Sequence, residues 1–429
     1  MNLQLVLCII IFFLTLISYV LNKIPMWVTA MVSMIVLVIT KCLDPSTALS
    51  GFSNGNTVLM ASMFMVAAGM RRTSFVKWLC NGIMKITKGS FKKAFFGYVV
   101  LTMILTNLIS SPMVVYAIVA PLVGALCDES GVSRSKVMFP IVVTAIACCQ
   151  ILPTDAAITQ ASQSNAYLET YEMSQYTMKA TDFFLAKWPL FILIPVWAMF
   201  LSDKFLPNKD SANKNTEGAK RKEAEALPPL ADKLGIIIFF ATIICLLISS
   251  KLGLASWTIA AAGGMLMVLV GVLTPKEAVN AMPLDMILLF VGSLAMGSAL
   301  SETGAGDAIG AWLSNAVGGT HNGYVIGALF FIVPFVVTQF MLNRAVMQIF
   351  TPICILTCKA LGANPIGPIL IVTAACLTAF LTPMATPAIP MCMEDGDYDL
   401  VDLFKGGWLI TIVLAIMYIF YVMTVFPAF

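Results

Sequence analysis

Apolar runs of membrane-spanning length recur along this chain, separated by short polar or basic segments. A helix needs about 20 apolar residues to cross a bilayer. Runs near that length lie at 3–21, 25–41, 56–70, 183–202, 234–250, 255–273, 283–300 and 403–427. Two more, 137–165 and 367–392, reach it only across internal prolines. The pattern predicts ten membrane-spanning helices, two of them broken.

Two further pairs of shorter apolar runs predict re-entrant hairpins. The first pair occupies 94–126 and is interrupted by a Ser-Ser-Pro turn at 110–112. Its arms are too short for comfortable spans, so we expect the pair to dip into the membrane and return. The second pair occupies 323–356, and its turn carries Asn343 and Arg344. A charge at bilayer depth costs about 2.5–3.5 kcal/mol, which favours a wet cavity or a binding site around Arg344.

The pattern then repeats. Proline landmarks recur about 230 residues apart, as at Pro153 and Pro383. A charged segment, 203–233, separates the copies and predicts a linker between repeats at 1–202 and 234–429. Each repeat holds five spans and one hairpin, and an odd number of spans gives the two copies opposite orientations. The predicted fold is therefore an all-α polytopic membrane protein of two inverted repeats, a plan common among secondary transporters.

The amino-acid composition is that of a membrane protein and excludes several kinds of site. The chain is 59% hydrophobic and 11% charged, against about 25% charged for soluble domains. Its one histidine excludes a His-rich zinc site, and most of its 11 cysteines lie in apolar runs and are expected to be small buried hydrophobic residues. We expect no cofactor, no metal centre and no nucleic-acid partner. The first run has no basic residue before it and no small-residue cleavage site after it, so it is predicted to be a retained span.

Charge asymmetry sets the orientation. With the linker 203–233 cytoplasmic and both termini outside, 19 Lys and Arg residues fall on the inner side. Five fall outside, and Lys187 is one of these. The positive-inside rule favours this arrangement over its mirror image. We expect a multi-pass protein of the cell membrane.

The two broken spans predict a polar site. Proline in a helix interior frees backbone groups that must face a cavity or other protein. The first break reads Pro153-Thr154-Asp155, and the second runs from Thr382 to Pro390 with three prolines. Unwound carbonyls can ligate a small cation, and half-helix N-termini favour an anion.

The whole arrangement resembles the divalent anion/sodium symporter family of the ion transporter superfamily. The likeness is strongest in 340–345 leading to Pro352, in 381–388 and in 403–408. It implies elevator-type homodimers that move di- or tricarboxylates or sulfate. In the family, a Ser-Asn-Thr triplet at each hairpin tip binds substrate carboxylates and borders two sodium sites. This chain keeps Ser111 of the first triplet and Asn343 of the second.

Nine residues are candidates for the site. Those expected to contact substrate are Ser110, Ser111, Asn343, Arg344, Thr154 and Thr386. Those expected to couple transport to a cation, sodium or a proton, are Asp155, Asn107 and Thr382. Arg344 has three possible roles: it binds a substrate carboxylate bidentately, it stands in place of sodium and pairs with Asp155, or it forms a static buried ion pair.

The sequence thus predicts a secondary active transporter of small organic anions and not an enzyme. Its expected partners are the anion, the lipid bilayer and a second copy in a homodimer. A rival within the superfamily is a cation/proton antiporter that uses Asp155. An integral membrane enzyme and a substrate-sensing receptor are further alternatives. A membrane enzyme would require clustered catalytic groups in large loops, and a receptor would require a signalling domain.

Overall fold

The computed structural model describes residues 3–21, 23–75, 78, 90–109, 111–209, 227–316 and 321–429, and within these ranges the regular structure is helical. Of the predicted features, Ser110 and positions 210–226 of the linker lie outside the described residues. The helices of the first half are α1 (Leu3–Leu21), α2 (Met26–Ile39), α3 (Pro45–Ser53), α4 (Gly55–Arg72), α5 (Phe91–Ile109), α6 (Pro112–Ser130), α7 (Met138–Ala147), α8 (Asp155–Thr170), α9 (Ala180–Lys187) and α10 (Leu190–Phe205).

The second half follows the same sequence of long and short helices. They are α11 (Pro229–Leu247), α12 (Ser256–Leu269), α13 (Pro275–Ala281), α14 (Leu284–Glu302), α15 (Ala305–Ala316), α16 (Gly323–Thr338), α17 (Asn343–Leu361), α18 (Ile366–Cys376), α19 (Ala388–Gly396) and α20 (Leu400–Val425). Short helical turns at Arg134–Lys136 and Ser249–Leu252 complete the described helices.

The apolar helices confirm an all-helical membrane protein. Five described helices, α5, α11, α14, α17 and α20, are long and apolar enough to cross a membrane. The pair α9 and α10, bent by 43°, makes a sixth. Other apolar helices, such as α2 and α12, are 14 residues long. The full count of ten spans stays a prediction.

The hairpin arms differ from the sequence-based expectation. Helices α5, α6 and α17 each have 19 residues, so these arms are longer than predicted. The apolar run of the first hairpin begins at Ala94, but α5 begins three residues earlier, because Lys92 and Lys93 are good helix formers. At the other end, Asp128 continues α6 beyond the apolar stretch. Helix formation does not stop where hydrophobicity stops.

Helices of one half pack against helices of the other. Helix α2 packs along α14, and α4 packs along α12. At the first contact, a Cβ on Gly292 would lie 2.7 Å from the Cβ of Ala30 and 2.8 Å from its carbonyl oxygen, so only glycine permits this approach. Met26 and Ser256, which begin α2 and α12, are 230 residues apart. Helix α2 is thus the counterpart of α12, and α4 is the counterpart of α14. Each contact therefore joins the same two kinds of helix, with the halves of the chain exchanged. The inverted relation of the halves stays a prediction.

Two helices are interrupted at the proline-containing segments. The chain leaves helix between Ala147, the last residue of α7, and Asp155, the first of α8. It does so again between Cys376 in α18 and Ala388 in α19. Gln150, in the first interruption, has φ 63°, a left-handed conformation that is uncommon for a residue other than glycine. These interruptions bring helix ends and freed backbone groups to the same region as the hairpin turns.

Candidate functional site

Four helices begin at the wall of one cavity of about 340 Å³. They are α6, α8, α17 and α19, whose first residues are Pro112, Asp155, Asn343 and Ala388. Two of these helices follow the hairpin turns and two follow the interruptions, so both halves contribute to the wall. A helix N-terminus carries unpaired N–H groups and a partial positive charge. Four such ends around one cavity favour an anionic ligand.

The predicted site residues fall into two groups, those that line the cavity and those that do not. Those that line the cavity are Ser111, Asp155, Asn343, Arg344 and Thr386. Those absent from the lining are Asn107, Thr154 and Thr382. Ser110 lies outside the described residues.

The two predicted charges share the cavity wall. Asp155 is 1% exposed, in the first turn of α8, where a carboxylate is favoured by the helix dipole. Arg344 is exposed, and its Nη1 lies 2.8 Å from the sulfur of Met286 in α14. The Arg344 side chain is therefore accessible at the cavity, and the choice among its three roles stays a prediction. An exposed guanidinium at the wall can present several N–H donors to a ligand.

Asn107 ties the first hairpin to the first interruption. Its amide nitrogen donates to the carbonyls of Met103, 2.7 Å away, and Cys148, 3.0 Å away. Its oxygen accepts from the backbone N–H groups of Ile151 and Leu152, each at 2.8 Å. An asparagine side chain has two donor hydrogens and two lone pairs, and all four are used here. Asn107 therefore shapes the site from behind its wall.

Threonines make a second tie in each half. The Thr154 hydroxyl donates to the Asn107 carbonyl at 2.5 Å. In the second half, the Thr382 hydroxyl donates to the carbonyl of Gln339, at the end of the other hairpin arm. The N–H of Asn343 also donates to the Ala385 carbonyl at 3.1 Å. Each hairpin turn is thus bonded to the interruption in its own half, and the turns and interruptions form one connected wall.

Uncharged polar side chains complete the wall on the α8 side. Gln150, Thr159, Gln160 and Gln163 all line the cavity. The Gln150 amide oxygen and the Thr159 hydroxyl are buried and have no hydrogen-bond partner among the described residues. These groups can orient a polar ligand. Gln163 is missing from the sequence-based candidates, yet the spacing of Asp155, Thr159 and Gln163 places all three on one helix face.

A buried amide chain joins the two halves beside the cavity. The Gln348 amide nitrogen of α17 donates to the Gln163 oxygen of α8 at 3.2 Å. The Tyr167 hydroxyl donates to the oxygen of Gln348. Gln163 and Gln348 are buried and both line the cavity. Because amide dipoles must be oriented together in such a chain, it fixes how α8 and α17 sit against each other.

Lys187, at the end of α9, has a position that sequence reasoning did not anticipate. The charge count places this lysine on the outer side, which stays a prediction, but the side chain is not solvated as a loop lysine would be, because it is 0% exposed. Its ammonium donates to the carbonyl of Cys149 at 3.2 Å, in the first interruption. It also lies 6.0 Å from the centroid of the Phe183 ring. Cys149 itself lines the cavity, so Lys187 stands directly behind the wall.

Comparison with known proteins agrees with this description. A family model described as the sodium:sulfate symporter transmembrane region matches residues 1–427. An uncharacterized transporter of Synechocystis is 29% identical over 165 residues, which are 38% of this chain and 26% of that protein. The sodium-dependent low-affinity dicarboxylate transporter 1 of Caenorhabditis elegans is 27% identical over 142 residues, 33% of this chain and 24% of that protein. The chain thus spans about a quarter of the length of these relatives.

Two solved structures share the fold. MtrF of Neisseria gonorrhoeae, described among antimetabolite efflux pumps, aligns with a TM-score of 0.64 at 13% identity, over 98% of this chain and 95% of that one. The YdaH transporter of Alcanivorax borkumensis aligns with a TM-score of 0.59 at 15% identity, over 88% of this chain and 86% of that one. At these identities the likeness concerns the fold alone.

Proposed function

The chain belongs to the sodium:sulfate symporter family, and on that premise we propose that it is a secondary active transporter of di- or tricarboxylates. The family and the related proteins are transporters, so the chain is a multi-pass membrane transporter and not an enzyme. A relative named as a dicarboxylate transporter supports the choice of substrate class.

The observation that carries the proposal is the convergence of four helix N-termini and one arginine on a single cavity. The helix N-termini stabilise the negative charge of a bound anion through their backbone N–H groups and dipoles. Arg344 binds one substrate carboxylate through paired N–H groups. Ser111, Asn343 and Thr386, which also line the cavity, supply further polar contacts to the substrate. Ser110 and Thr154 are the remaining proposed substrate contacts.

Coupling to a cation is assigned to the first interruption. Asp155 is the buried carboxylate of the wall and can hold a proton or face a bound cation. Asn107 contributes by accepting from backbone N–H groups of the first interruption, and Thr382, in the second interruption, contributes by donating to the Gln339 carbonyl of the hairpin. Transport is driven by sodium or by protons, or runs as exchange against an internal anion.

Alternating access follows the elevator scheme. Both hairpins and both interrupted helices form the mobile part, and they carry most of the cavity wall. Phe64 of α4 and Met286 of α14 contribute the remaining wall from helices that pack across the two halves. These helices belong to the scaffold, which forms a homodimer in the cell membrane. Both termini face outward and the linker 203–233 is cytoplasmic.

The test uses purified protein in liposomes. Uptake of labelled succinate, citrate, tartrate and sulfate is measured with a sodium gradient, a proton gradient or unlabelled anion inside. Saturable uptake of a di- or tricarboxylate under at least one condition is expected. Liposomes that take up none of these anions but release protons when sodium is added would instead support a cation/proton antiporter working through Asp155.

A further inference from the structure

The end of the first interrupted helix is a place where a cation is favoured. Helix α7 ends at Ala147, and its last carbonyls point onward into the interruption. A helix C-terminus carries a partial negative charge, and unwound carbonyls in broken transmembrane helices ligate small cations. The next two carbonyls, just beyond the helix, already have side-chain partners, because the Cys148 carbonyl accepts from the Asn107 amide and the Cys149 carbonyl accepts from the Lys187 ammonium.

Lys187 also faces the second interrupted helix. The titratable groups that interact with its charge are the thiols of Cys148, Cys149 and Cys376. Cys376 is the last residue of α18, so this thiol marks the C-terminal end of the second interrupted helix. No carboxylate in the described ranges forms an ion pair with Lys187. The positive charge is therefore balanced by helix ends and a carbonyl, the groups that would otherwise bind a cation.

The equivalent place in the second half holds no charge. Trp188 and Trp408 occupy equivalent positions in the repeated pattern, which makes Gly407 the counterpart of Lys187. A Cβ on Gly407 would lie 2.5 Å from a methyl carbon of Leu381, so the space that a side chain would need is filled by leucine. The ammonium is a feature of one half and does not follow from the repeated architecture.

We infer that Lys187 is a built-in cation at the first interruption, which makes binding of sodium there unnecessary for transport. The inference rests on the proposed function and deepens it by assigning the charge balance of the first half to the protein itself. A sodium ion beside Cys149 would have to displace the ammonium from its carbonyl and would meet a like charge. Lys187 is a positioning residue, since it acts on the cavity through the backbone of Cys149.

Three substitutions at this position separate charge from volume. Lys187→Ala removes the charge and leaves room for an ion with water. Lys187→Met fills the space without charge, and Lys187→Arg keeps a positive charge. The matched control is Lys179→Met, the same change on an exposed lysine at the start of the same helix.

The first readout is thermal unfolding of the purified chain in sodium chloride and in choline chloride. We expect sodium to raise the unfolding temperature of Lys187→Ala by about 2 °C or more relative to its effect on the wild type. Lys187→Met is expected to lose stability with no gain from sodium, and Lys187→Arg and Lys179→Met to respond as the wild type does. An equal sodium response in wild type and Lys187→Ala overturns the inference.

The second readout is anion exchange in liposomes. Without sodium, Lys187→Ala is expected to fall about tenfold below the wild type, and sodium should restore part of the rate. A purely structural lysine would lower the rate equally with and without sodium, which also overturns the inference. If the wild type moves no anion, the proposed function fails, while the thermal comparison still decides the role of Lys187.

Discussion

Replacing Asn107 with alanine should destabilise the first interruption by more than the loss of one hydrogen bond would. The change removes four hydrogen bonds. The Met103 carbonyl keeps its helical partner. The carbonyl of Cys148 and the N–H groups of Ile151 and Leu152 lose theirs inside a region with 0% exposure at Asn107.

The magnitude follows from those three backbone groups. A buried polar group left without a partner costs about 1–3 kcal/mol, whereas hydrogen bonds in membrane proteins average about 0.6 kcal/mol each. These values bracket the loss between about 2 and about 9 kcal/mol, and relaxation of the interruption favours the lower end. We expect Asn107→Ala to lower the free energy of unfolding by about 3 kcal/mol.

The assay is unfolding in mixed detergent micelles, followed by tryptophan fluorescence. Ser164→Ala is the matched control, since its hydroxyl is fully buried and donates only to the Gln160 carbonyl within the same helix, at 3.0 Å. That control should lose about 0.6 kcal/mol. If the two variants are equally stable, Asn107 is not the residue that holds the interruption and the reasoning is refuted.

Two further predictions concern contacts between the halves. Glu277 accepts from the backbone and side chain of Thr274 and pairs with Arg72 at 2.5 Å, which lowers the pKa of its carboxyl below the usual value. The ionised Glu277 therefore stabilises the fold at neutral pH, and this stabilisation is lost as the pH falls below about 4.5. Glu277→Gln should lower the free energy of unfolding by less than about 1 kcal/mol, because the pair is partly exposed. In pH-dependent thermal unfolding, the variant should not show the loss of stability that the wild type shows in acid. Gly292→Leu should abolish the close contact with Ala30 and lower the yield of folded protein in size-exclusion chromatography, and a normal yield would show that α2 and α14 do not approach so closely.

Much of the helical layout could be predicted from the sequence, for a physical reason. A bilayer requires apolar helices, so hydropathy alone locates α2 and α12 to within a few residues. Prolines mark where helices stop, as at Pro153 before α8 and Pro383 before α19. Hydropathy could not give the lengths of the hairpin arms, because polar residues continue a helix outside the apolar layer.

The candidate site was only partly predictable. Asp155 and Arg344 stood out because charges inside apolar sequence are costly, and both line the cavity. The role of Asn107 could not be predicted, since its four partners come from residues up to 45 positions away. Lys187 was counted among the outside lysines in the charge balance. Only the structure shows that its ammonium is buried and donates to the Cys149 carbonyl.

The central claim is that this cavity binds an organic anion through Arg344. The most direct test compares exchange of labelled for unlabelled anion in liposomes containing wild type, Arg344→Gln or the control Arg134→Gln, whose arginine pairs with Asp128 at a solvent-exposed turn. A lost charge-assisted contact of about 1.5–3 kcal/mol predicts that Arg344→Gln lowers the initial rate about 10- to 150-fold at unchanged folded yield. The control should exchange at the wild-type rate. Wild-type exchange by Arg344→Gln would contradict the claim.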